Sequence, residues 1–336
     1  MQLHAASIGS AVPRDNFNAT IQSVFDSSLN LRLAHAGRLI TILISDHYDL
    51  PQGIRLDKRI PLPYLTPSAS LIANVGLRAA CRGGILRFGS STLTIDLRCA
   101  PIWEGRIPAL TRPIERGAWS IIWQTLNQQQ RLKGTELIVD DLFQSRSPHA
   151  PLGQRAGHSD QGSLLTRKLS QPVLQLIAAA ERLDSQIAKD AAQKMIGLGP
   201  GVTPSGDDVL IGFLAGLYST AENEPERLAF IQTFGESLAL LSKETNEISR
   251  TYLHHAIHGQ FSSSMSALLD AINDGAEEQL ISALKDAMRV GHSSGMDSVT
   301  GLLMGLAVWN KEIIPHPILS RRERGKQEVI WQLHNA

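Results

Sequence analysis

The chain has 336 residues, and its 32 Lys and Arg residues balance its 32 Asp and Glu residues, so the formal net charge is zero. A hydrophobic content of 43% with 19% charged residues indicates a folded globular protein rather than a disordered one. The charge balance argues against a nucleic-acid-binding protein, and two cysteines are too few for a disulfide framework. The sequence has neither a signal-peptide pattern nor an apolar run of about 20 residues, so we expect a cytoplasmic protein that does not cross a membrane.

The first part of the chain is predicted to be rich in β-strands. Residues 37–45, GRLITILIS, form a β-branched run, and residues 85–97, ILRFGSSTLTIDL, have the pattern of a hairpin around a GSS turn. Prolines recur through this part and disfavour long helices. Residues 118–130 predict one helix, and residues 136–143 predict a strand or a short helix.

The second part is predicted to be helical, because its apolar residues recur with a period of 3.6 from residue 164 onward. The predicted helices cover about residues 172–195, 204–220, 224–258, 262–273, 276–290 and 294–310. We therefore predict an α+β fold with a β-rich N-terminal domain (1–143) and a mainly α-helical C-terminal domain (164–336). Residues 144–163 between them are almost free of large apolar residues, which indicates a linker or a mobile loop.

Two stretches of the helical domain repeat each other. SGDDVLIGFLAGL, residues 205–217, aligns without gaps to SGMDSVTGLLMGL, residues 294–306, and the identities concentrate in Ser, Gly and Asp. On a helix, the aspartate and the next two glycines of each copy lie on one face, because they are spaced i, i+4, i+8. These residues are Asp208, Gly212 and Gly216 in the first copy and Asp297, Gly301 and Gly305 in the second.

The helical glycines need an offsetting benefit, because each costs about 0.8–1.0 kcal/mol relative to alanine. Close packing of the two glycine faces would supply it, and this packing would bring Asp208 and Asp297 into one site. The alternative is that each face packs on a different neighbour, with the aspartates only complementing the helix dipoles.

A glycine-rich loop precedes the first copy and indicates an anion site. Residues 197–201, GLGPG, lead into a helix start at which Thr203 is a good N-cap and Pro204 suits the first helical position. Glycines let backbone N–H groups approach a ligand, and helix N-termini bind anions. Neither GK[ST] nor GxGxxG is present here, so no nucleotide site is predicted. The adjacent aspartates would repel an anion unless a cation such as Mg²⁺ bridges them or the ligand also carries an NH₂ group.

Two further segments supply candidate site residues. His292 lies just before the second copy, as a general acid or base, an anion donor, or a loop histidine without chemistry. Thr245, Ser249 and Tyr252 are spaced i, i+4, i+7 and form one polar stripe on an otherwise core-like helix, and buried hydroxyls need partners, so we expect them to face the site. His254 and His258 have zinc-ligand spacing, but no third ligand is evident and zinc is not predicted.

At these three segments the sequence resembles the oxamate carbamoyltransferase subunit AllH family. The resemblance rests on GLGPGVTPSGDD (197–208), KETNEIS (243–249) and GHSSGMD (291–297). It implies a multi-subunit enzyme, shared with an FdrA-type and an AllG-type subunit, that converts oxalurate and phosphate to oxamate and carbamoyl phosphate in allantoin degradation. Oxalurate, oxamate and carbamoyl phosphate each combine an anionic end with an NH₂ group, which suits a site of backbone donors and carboxylates.

From the residues and the resemblance together we expect catalytic roles for Asp207, Asp208, His292 and Asp297. The glycines and hydroxyl residues of the motifs are expected to bind substrate, and they are Gly199, Gly201, Thr203, Ser205, Gly206, Thr245, Ser249, Ser293, Ser294 and Gly295. If a cation such as Mg²⁺ is present, the three aspartates would bind it. Two alternatives stay open: a ligand-binding or regulatory subunit without catalysis, and a metal-dependent hydrolase that uses the aspartates.

Overall fold

The computed structural model describes residues 2–35, 38–44, 48–57, 75–89, 92–133, 135–139 and 163–310. Its described residues divide into two compact units. Unit 1 takes in Met1–Ile107 and Gly259–Ser266, and unit 2 takes in Pro108–His258 and Ala267–Ala336. The strands lie in the first part of the chain and the helices in the second, which confirms the predicted α+β fold.

Unit 1 is a closed sheet. Its strands, within the described residues, are β1 (Gln2–Gly9), β2 (Phe17–Val24), β3 (Ser28–Leu33), β4 (Leu39–Leu43), β5 (Gly53–Leu56), β6 (Arg78–Arg82), β7 (Ile85–Phe88), β8 (Thr94–Asp96) and β9 (Ile102–Trp103). They follow the order β5-β4-β3-β2-β6-β7-β8-β1-β9, and β1 also pairs with β5, so the sheet closes on itself. Buried and less buried residues alternate along β1 and β2, as expected when one face of a sheet lines an apolar core.

Both strand predictions for unit 1 are confirmed. The β-branched run at 37–45 contains β4, whose five residues are all buried. The hairpin predicted at 85–97 consists of β7 and β8, which pair antiparallel with Ile85 opposite Asp96. The sequence did not predict that a segment of the second part, residues 259–266, also belongs to this unit. There the Ser263 backbone N–H donates to the Asp49 carbonyl at 3.0 Å.

Unit 2 is helical. The helices of the described residues are α1 (Arg116–Lys133), α2 (Leu164–Glu181), α3 (Ser185–Gln193), α4 (Ser205–Thr220), α5 (Pro225–Leu241), α6 (Glu247–Ile257), α7 (Ser263–Asp274, whose first turn belongs to unit 1), α8 (Glu277–Met288) and α9 (Ser294–Trp309), with a 3₁₀ turn at Ser242–Glu244. The helix predicted at 118–130 is α1. None of these helices combines the length and the apolar character needed to cross a membrane.

Two of the predicted helices are each divided in the structure. The one predicted at 172–195 is α2 and α3, separated where Leu183 has a φ of 57° and Asp184 caps α3 by accepting from the Ile187 N–H. The one predicted at 224–258 is α5, the 3₁₀ turn and α6, which begins where the Asn246 side chain accepts from the N–H groups of Ile248 and Ser249. Asp and Asn are favoured N-cap residues, so these boundaries have a sequence signal.

The predicted linker at 144–163 lies outside the described residues except for Ser163, which caps α2 by accepting from the Thr166 N–H at 3.1 Å. Most of the element predicted at 136–143 is likewise outside them or has no regular structure. The predicted domain boundaries therefore stay predictions.

Candidate functional site

The two copies of the repeat are the helices α4 and α9, and their backbones touch. A Cβ atom added to Gly212 would lie 1.8 Å from the Ser298 carbonyl oxygen, and one added to Gly301 would lie 1.9 Å from that of Val209. A Cβ added to Gly216 would lie 2.5 Å from the Leu306 nitrogen, and one added to Gly305 would lie 2.3 Å from the Phe213 carbonyl oxygen. The predicted contact between the two glycine faces is confirmed, and the alternative that each face packs on a different neighbour is wrong.

Both helix starts are built in the same way. Gly206 N–H donates to the Leu198 carbonyl and Gly295 N–H donates to the Val290 carbonyl, each at 2.9 Å. A Cβ on either glycine would lie within 2.3 Å of a carbonyl oxygen in the segment that precedes its helix. The two copies are therefore equivalent in structure as well as in sequence, and the glycine of each SGxD motif is needed for close packing.

The loop before α4 depends on glycine conformations. Gly197, Gly199 and Gly201 have φ values of 69°, 125° and 95°, which residues with a side chain rarely adopt. A Cβ on Gly199 would also lie 2.7 Å from the Ser205 nitrogen, so this glycine allows the loop to lie against the helix start. The loop thereby brings backbone groups to the N-terminus of α4.

Asp207 holds this loop in place. Its side chain is fully buried and accepts from the Gly197 N–H at 2.8 Å, from Thr245 Oγ1 at 2.5 Å and from Ser249 Oγ at 2.6 Å. Both carboxylate oxygens are thus engaged by protein donors. Ser249 of α6 and Thr245, which lies just before this helix and not on it as predicted, therefore both face a carboxyl group of the first motif. This geometry gives Asp207, Thr245 and Ser249 a positioning role, and their contact with a substrate stays a prediction.

Asp208 is buried against the second copy. Only 4% of it is exposed, and its pKa lies well above the usual range because burial disfavours the charged form and because Asp297 adds a nearby negative charge. Hydrogen bonds from the hydroxyls of Thr203 and Ser294 partly oppose this rise. Thr203 Oγ1 and Ser294 Oγ are themselves 2.5 Å apart, so they join the two motifs directly.

Asp297 has the matching environment on the other side. It is fully buried, and burial raises its pKa from 3.8 to about 7, while the hydroxyls of Ser205 and Ser293 favour the charged form. Each aspartate is affected by a serine of the other copy. Ser294 of the second copy lowers the pKa of Asp208, and Ser205 of the first copy lowers the pKa of Asp297. One site is thus assembled from segments about ninety positions apart in the sequence.

Three oxygens of this carboxyl pair have no partner at full hydrogen-bond geometry in the described part of the chain. They are Oδ2 of Asp208 and both carboxyl oxygens of Asp297. Buried polar groups without partners are costly and rare, so they indicate a ligand or a shared proton. Burial raises the pKa of both carboxyl groups, so near neutral pH the pair retains a proton that it can donate while its remaining oxygens accept.

The helix starts differ from the prediction in their capping. Pro204 rather than Thr203 is the N-cap residue, so the predicted cap is wrong by one position. Thr203 contacts Ser294 and Asp208 instead, because its hydroxyl is turned toward the second motif. Ser293 is the N-cap of α9, and neither helix has a side-chain capping bond among the described residues. The dipoles of both helix ends favour an anion, while the Gly206 and Gly295 N–H groups themselves donate to the carbonyls of Leu198 and Val290.

The accessible edge of the site is formed by the residues that precede the two helices. Gly201 and His292 are exposed, and Thr203, Ser293 and Ser294 are half-buried. His292 follows Gly291, whose φ of 63° turns the chain into α9. This exposed position allows His292 to reach a ligand, although a catalytic role for it stays a prediction.

Fewer side chains remain for binding a metal ion than the sequence suggested. In the described ranges no group of three or more His, Cys, Asp or Glu side chains is arranged to hold a metal ion. Asp207 already uses both oxygens on protein donors, which leaves Asp208 and Asp297 as the carboxyl groups available to a cation such as Mg²⁺. His254 and His258 lie with ring centroids 4.6 Å apart, on α6 and at its C-cap.

Sequence reasoning missed the crosswise pairing of serines with aspartates. The repeat contains the signal for it, because Ser205 and Ser294 are equivalent positions, as are Asp208 and Asp297. When two equivalent helices pack face to face, the start of each lies beside the first turn of the other, and equivalent residues exchange partners.

Two protein-family models match the chain, one in each half. Residues 195–306, which contain the loop and both copies of the repeat, match the family described as oxamate carbamoyltransferase subunit AllH. Residues 4–102, which span nearly all of the closed sheet, match the AllH family N-terminal domain. No solved structure matches the chain. The two family matches together cover most of the sequence, and the chain therefore belongs to the AllH family of oxamate carbamoyltransferase subunits.

Proposed function

We propose that this chain is the subunit of a carbamoyltransferase that binds the substrate between the starts of α4 and α9. The proposed reaction is that of oxalurate and phosphate to give oxamate and carbamoyl phosphate. The observation that carries the proposal is the buried pair Asp208 and Asp297, with three unpartnered oxygens beside two helix N-termini without side-chain caps.

The anionic end of the substrate is held by the helix starts. Backbone N–H groups of Gly199 and Gly201 in the loop and of Ser293 before α9 are the proposed donors to a carboxylate or phosphate group. His292, exposed at the same edge, adds a further donor. A site made of backbone dipoles binds anions without a cluster of Lys or Arg, which agrees with the zero net charge of the chain.

The carbamoyl end is held by the two carboxyl groups. An ionised carboxylate accepts hydrogen bonds from the NH₂ group, and a protonated one donates to the carbonyl oxygen. Negative charge develops on that oxygen during acyl transfer, so the protonated partner and the helix ends stabilise the transition state more than the ground state. Because one carboxyl group retains a proton, the pair also serves as general acid and base.

The proposal includes the context that the resemblance implies. The chain works with an FdrA-type and an AllG-type subunit in allantoin degradation, a part of purine catabolism, in the cytoplasm. The name of the matched family describes a subunit, which supports the need for partners.

The test is carbamoyl phosphate formation from oxalurate and phosphate by the chain mixed with its two partner subunits. We expect Asp208→Asn and Asp297→Asn each to lower turnover by about 100-fold, because both remove an acid–base group and retain the shape. Asp286→Asn in α8 is the matched control, since that carboxylate is exposed and pairs with Arg289 at 2.9 Å on the surface. Full activity of the Asp208→Asn complex would contradict the proposed site.

Two additions to this assay separate the alternatives. A metal-dependent reaction would be lost after treatment with a chelator and restored by Mg²⁺, whereas our proposal expects turnover without added metal. A subunit that only binds a ligand would retain oxamate binding by calorimetry, while substitutions at Asp208 and Asp297 would leave turnover of the complex unchanged.

A further inference from the structure

Ser294 is set apart from the other hydroxyl residues of the site by position and access. It is the first residue of α9 and is half-buried, whereas its equivalent in the first copy, Ser205, is only 4% exposed. Of the two equivalent serines, Ser294 is therefore the one that a substrate can reach. We infer that Ser294 is the catalytic nucleophile of the proposed reaction, carrying the carbamoyl group as a covalent intermediate; this inference rests on the proposed function.

The surroundings of Ser294 meet the requirements of an activated serine. Its hydroxyl is close enough to the buried carboxyl group of Asp208 to favour the charged form of that carboxyl, and Asp208 Oδ2 has no partner in the described part of the chain, so Asp208 can relay the hydroxyl proton. Thr203 Oγ1 lies 2.5 Å from Ser294 Oγ and limits the rotation of the hydroxyl. Asp297 is near enough to raise the pKa of Asp208 and supplies the second carboxyl group of the pair.

The N-terminus of α9 favours negative charge that develops at Ser294 Oγ during the reaction. Ser294 begins a helix of sixteen residues whose N-cap makes no side-chain bond among the described residues, so its positive end is available to developing negative charge. Thr203 and Ser293 are also half-buried, but Thr203 precedes α4 by two positions and carries a methyl group beside its oxygen, and Ser293 precedes α9 and acts on Asp297. Ser294 is therefore the half-buried hydroxyl residue that lies within a helix start and acts on Asp208.

The first step releases the amide product. Ser294 Oγ attacks the carbamoyl carbon of the ureido donor, and the bond from that carbon to the nitrogen of the oxamate part breaks. The hydroxyl proton passes through Asp208 to this nitrogen, so oxamate leaves as a neutral amide with its carboxylate unchanged. Ser294 then carries an O-carbamoyl group.

The second step transfers the group to phosphate. An oxygen of hydrogen phosphate attacks the same carbon, and the bond from that carbon to Ser294 Oγ breaks. The proton of the phosphate returns through Asp208 to Ser294, which restores the free serine and yields carbamoyl phosphate. No oxidant, reductant or further reactant is needed.

The experiment measures the first step alone in the complete complex. In the absence of phosphate, isotope-labelled oxamate should exchange into oxalurate, and acid-quenched protein should contain one carbamoyl group on the peptide with Ser294 by mass spectrometry. Ser294→Ala should lower the exchange by at least about 100-fold. Ser294→Cys should restore part of the exchange and carry the carbamoyl group on sulfur, and Ser237→Ala in α5 should exchange like the wild type.

The outcomes separate this inference from the proposed function. A wild-type complex that forms carbamoyl phosphate but shows no exchange without phosphate transfers the group directly, and Ser294 is then not a nucleophile. Undiminished exchange by a folded Ser294→Ala complex, checked by circular dichroism, leads to the same rejection. A wild-type complex that forms no carbamoyl phosphate under any of these conditions overturns the proposed function and this inference together.

Discussion

Replacing Gly212 with alanine tests whether the contact between α4 and α9 builds the site. The new Cβ would lie 1.8 Å from the carbonyl oxygen of Ser298, 2.7 Å from its carbonyl carbon and 2.8 Å from the Leu302 nitrogen. All three are backbone atoms, so no side chain can rotate away. An ordinary carbon–oxygen contact is at least about 3.3 Å, and the helices must therefore separate locally by about 1.5 Å.

The expected cost follows from two opposing effects. Overpacking costs about 1–3 kcal/mol, and backbone obstruction places this substitution at the upper end. Alanine returns about 0.8–1.0 kcal/mol through its higher helix propensity. We expect Gly212→Ala to lower the free energy of unfolding by about 2 kcal/mol and, because Asp208 lies one turn away, to lower turnover by about 100-fold.

Urea unfolding followed by far-ultraviolet circular dichroism measures the stability, and the carbamoyl phosphate assay measures the turnover. Gly117→Ala in α1 is the matched control, because no described atom lies within 4 Å of the Cβ that it adds. We expect this control to be neutral or to gain up to about 1 kcal/mol. If Gly212→Ala is as stable as this control and equally active as the wild type, then the glycine contact does not determine the position of Asp208.

Four further predictions concern single groups of the site. Burial raises the pKa of Asp297 from 3.8 to about 7, so its contribution to stability is present below pH 3.8 and is lost as the pH rises to 7. Asp297→Asn should therefore be more stable than the wild type at neutral pH, with a difference that shrinks on acidification; equal urea midpoints at neutral pH would contradict this. Asp207→Ala leaves three buried donors without their acceptor and should lower the free energy of unfolding, measured with urea, by about 3 kcal/mol, with Asp207→Asn losing less. Gly199→Ala places a side chain at a φ of 125° and a Cβ 2.7 Å from the Ser205 nitrogen, so it should weaken oxamate binding measured by calorimetry. Unchanged affinity would show that the loop does not contribute to the site. Treatment with a chelator should leave turnover unchanged, and a loss that Mg²⁺ reverses would show that the carboxyl pair binds a cation.

Much of the fold follows from local patterns. The β-branched run predicted β4, and the spacing of apolar residues predicted the helices of unit 2. The divided helices were missed because apolar spacing continues across Asp184 and Asn246, although both residues are favoured caps. The return of residues 259–266 to unit 1 has no local signal, because it depends on partners such as Asp49 that are distant in the sequence.

The candidate site was likewise predicted only in part, because some of its contacts join residues that are distant in the sequence. The repeat predicted that Asp208 and Asp297 come together, since glycines at a spacing of four define one face of a helix and allow a close neighbour. The repeat did not predict which hydroxyl group lies beside which carboxyl group. That pairing depends on the crossing of α4 and α9, where Thr203 meets Ser294 across 91 positions of sequence.

The sequence by itself favoured a close pair of two equivalent helix starts, each with Ser, Gly and Asp, because close packing of their glycine faces offsets the cost of four helical glycines. The different roles of the adjacent Asp207 and Asp208 were decided by the tertiary structure. Successive residues on a helix point about 100° apart, so Asp207 meets the hydroxyls of Thr245 and Ser249 while Asp208 meets the second motif. Local sequence treats these two aspartates alike, and only the neighbours supplied by the fold make one a structural anchor and the other half of a buried carboxyl pair.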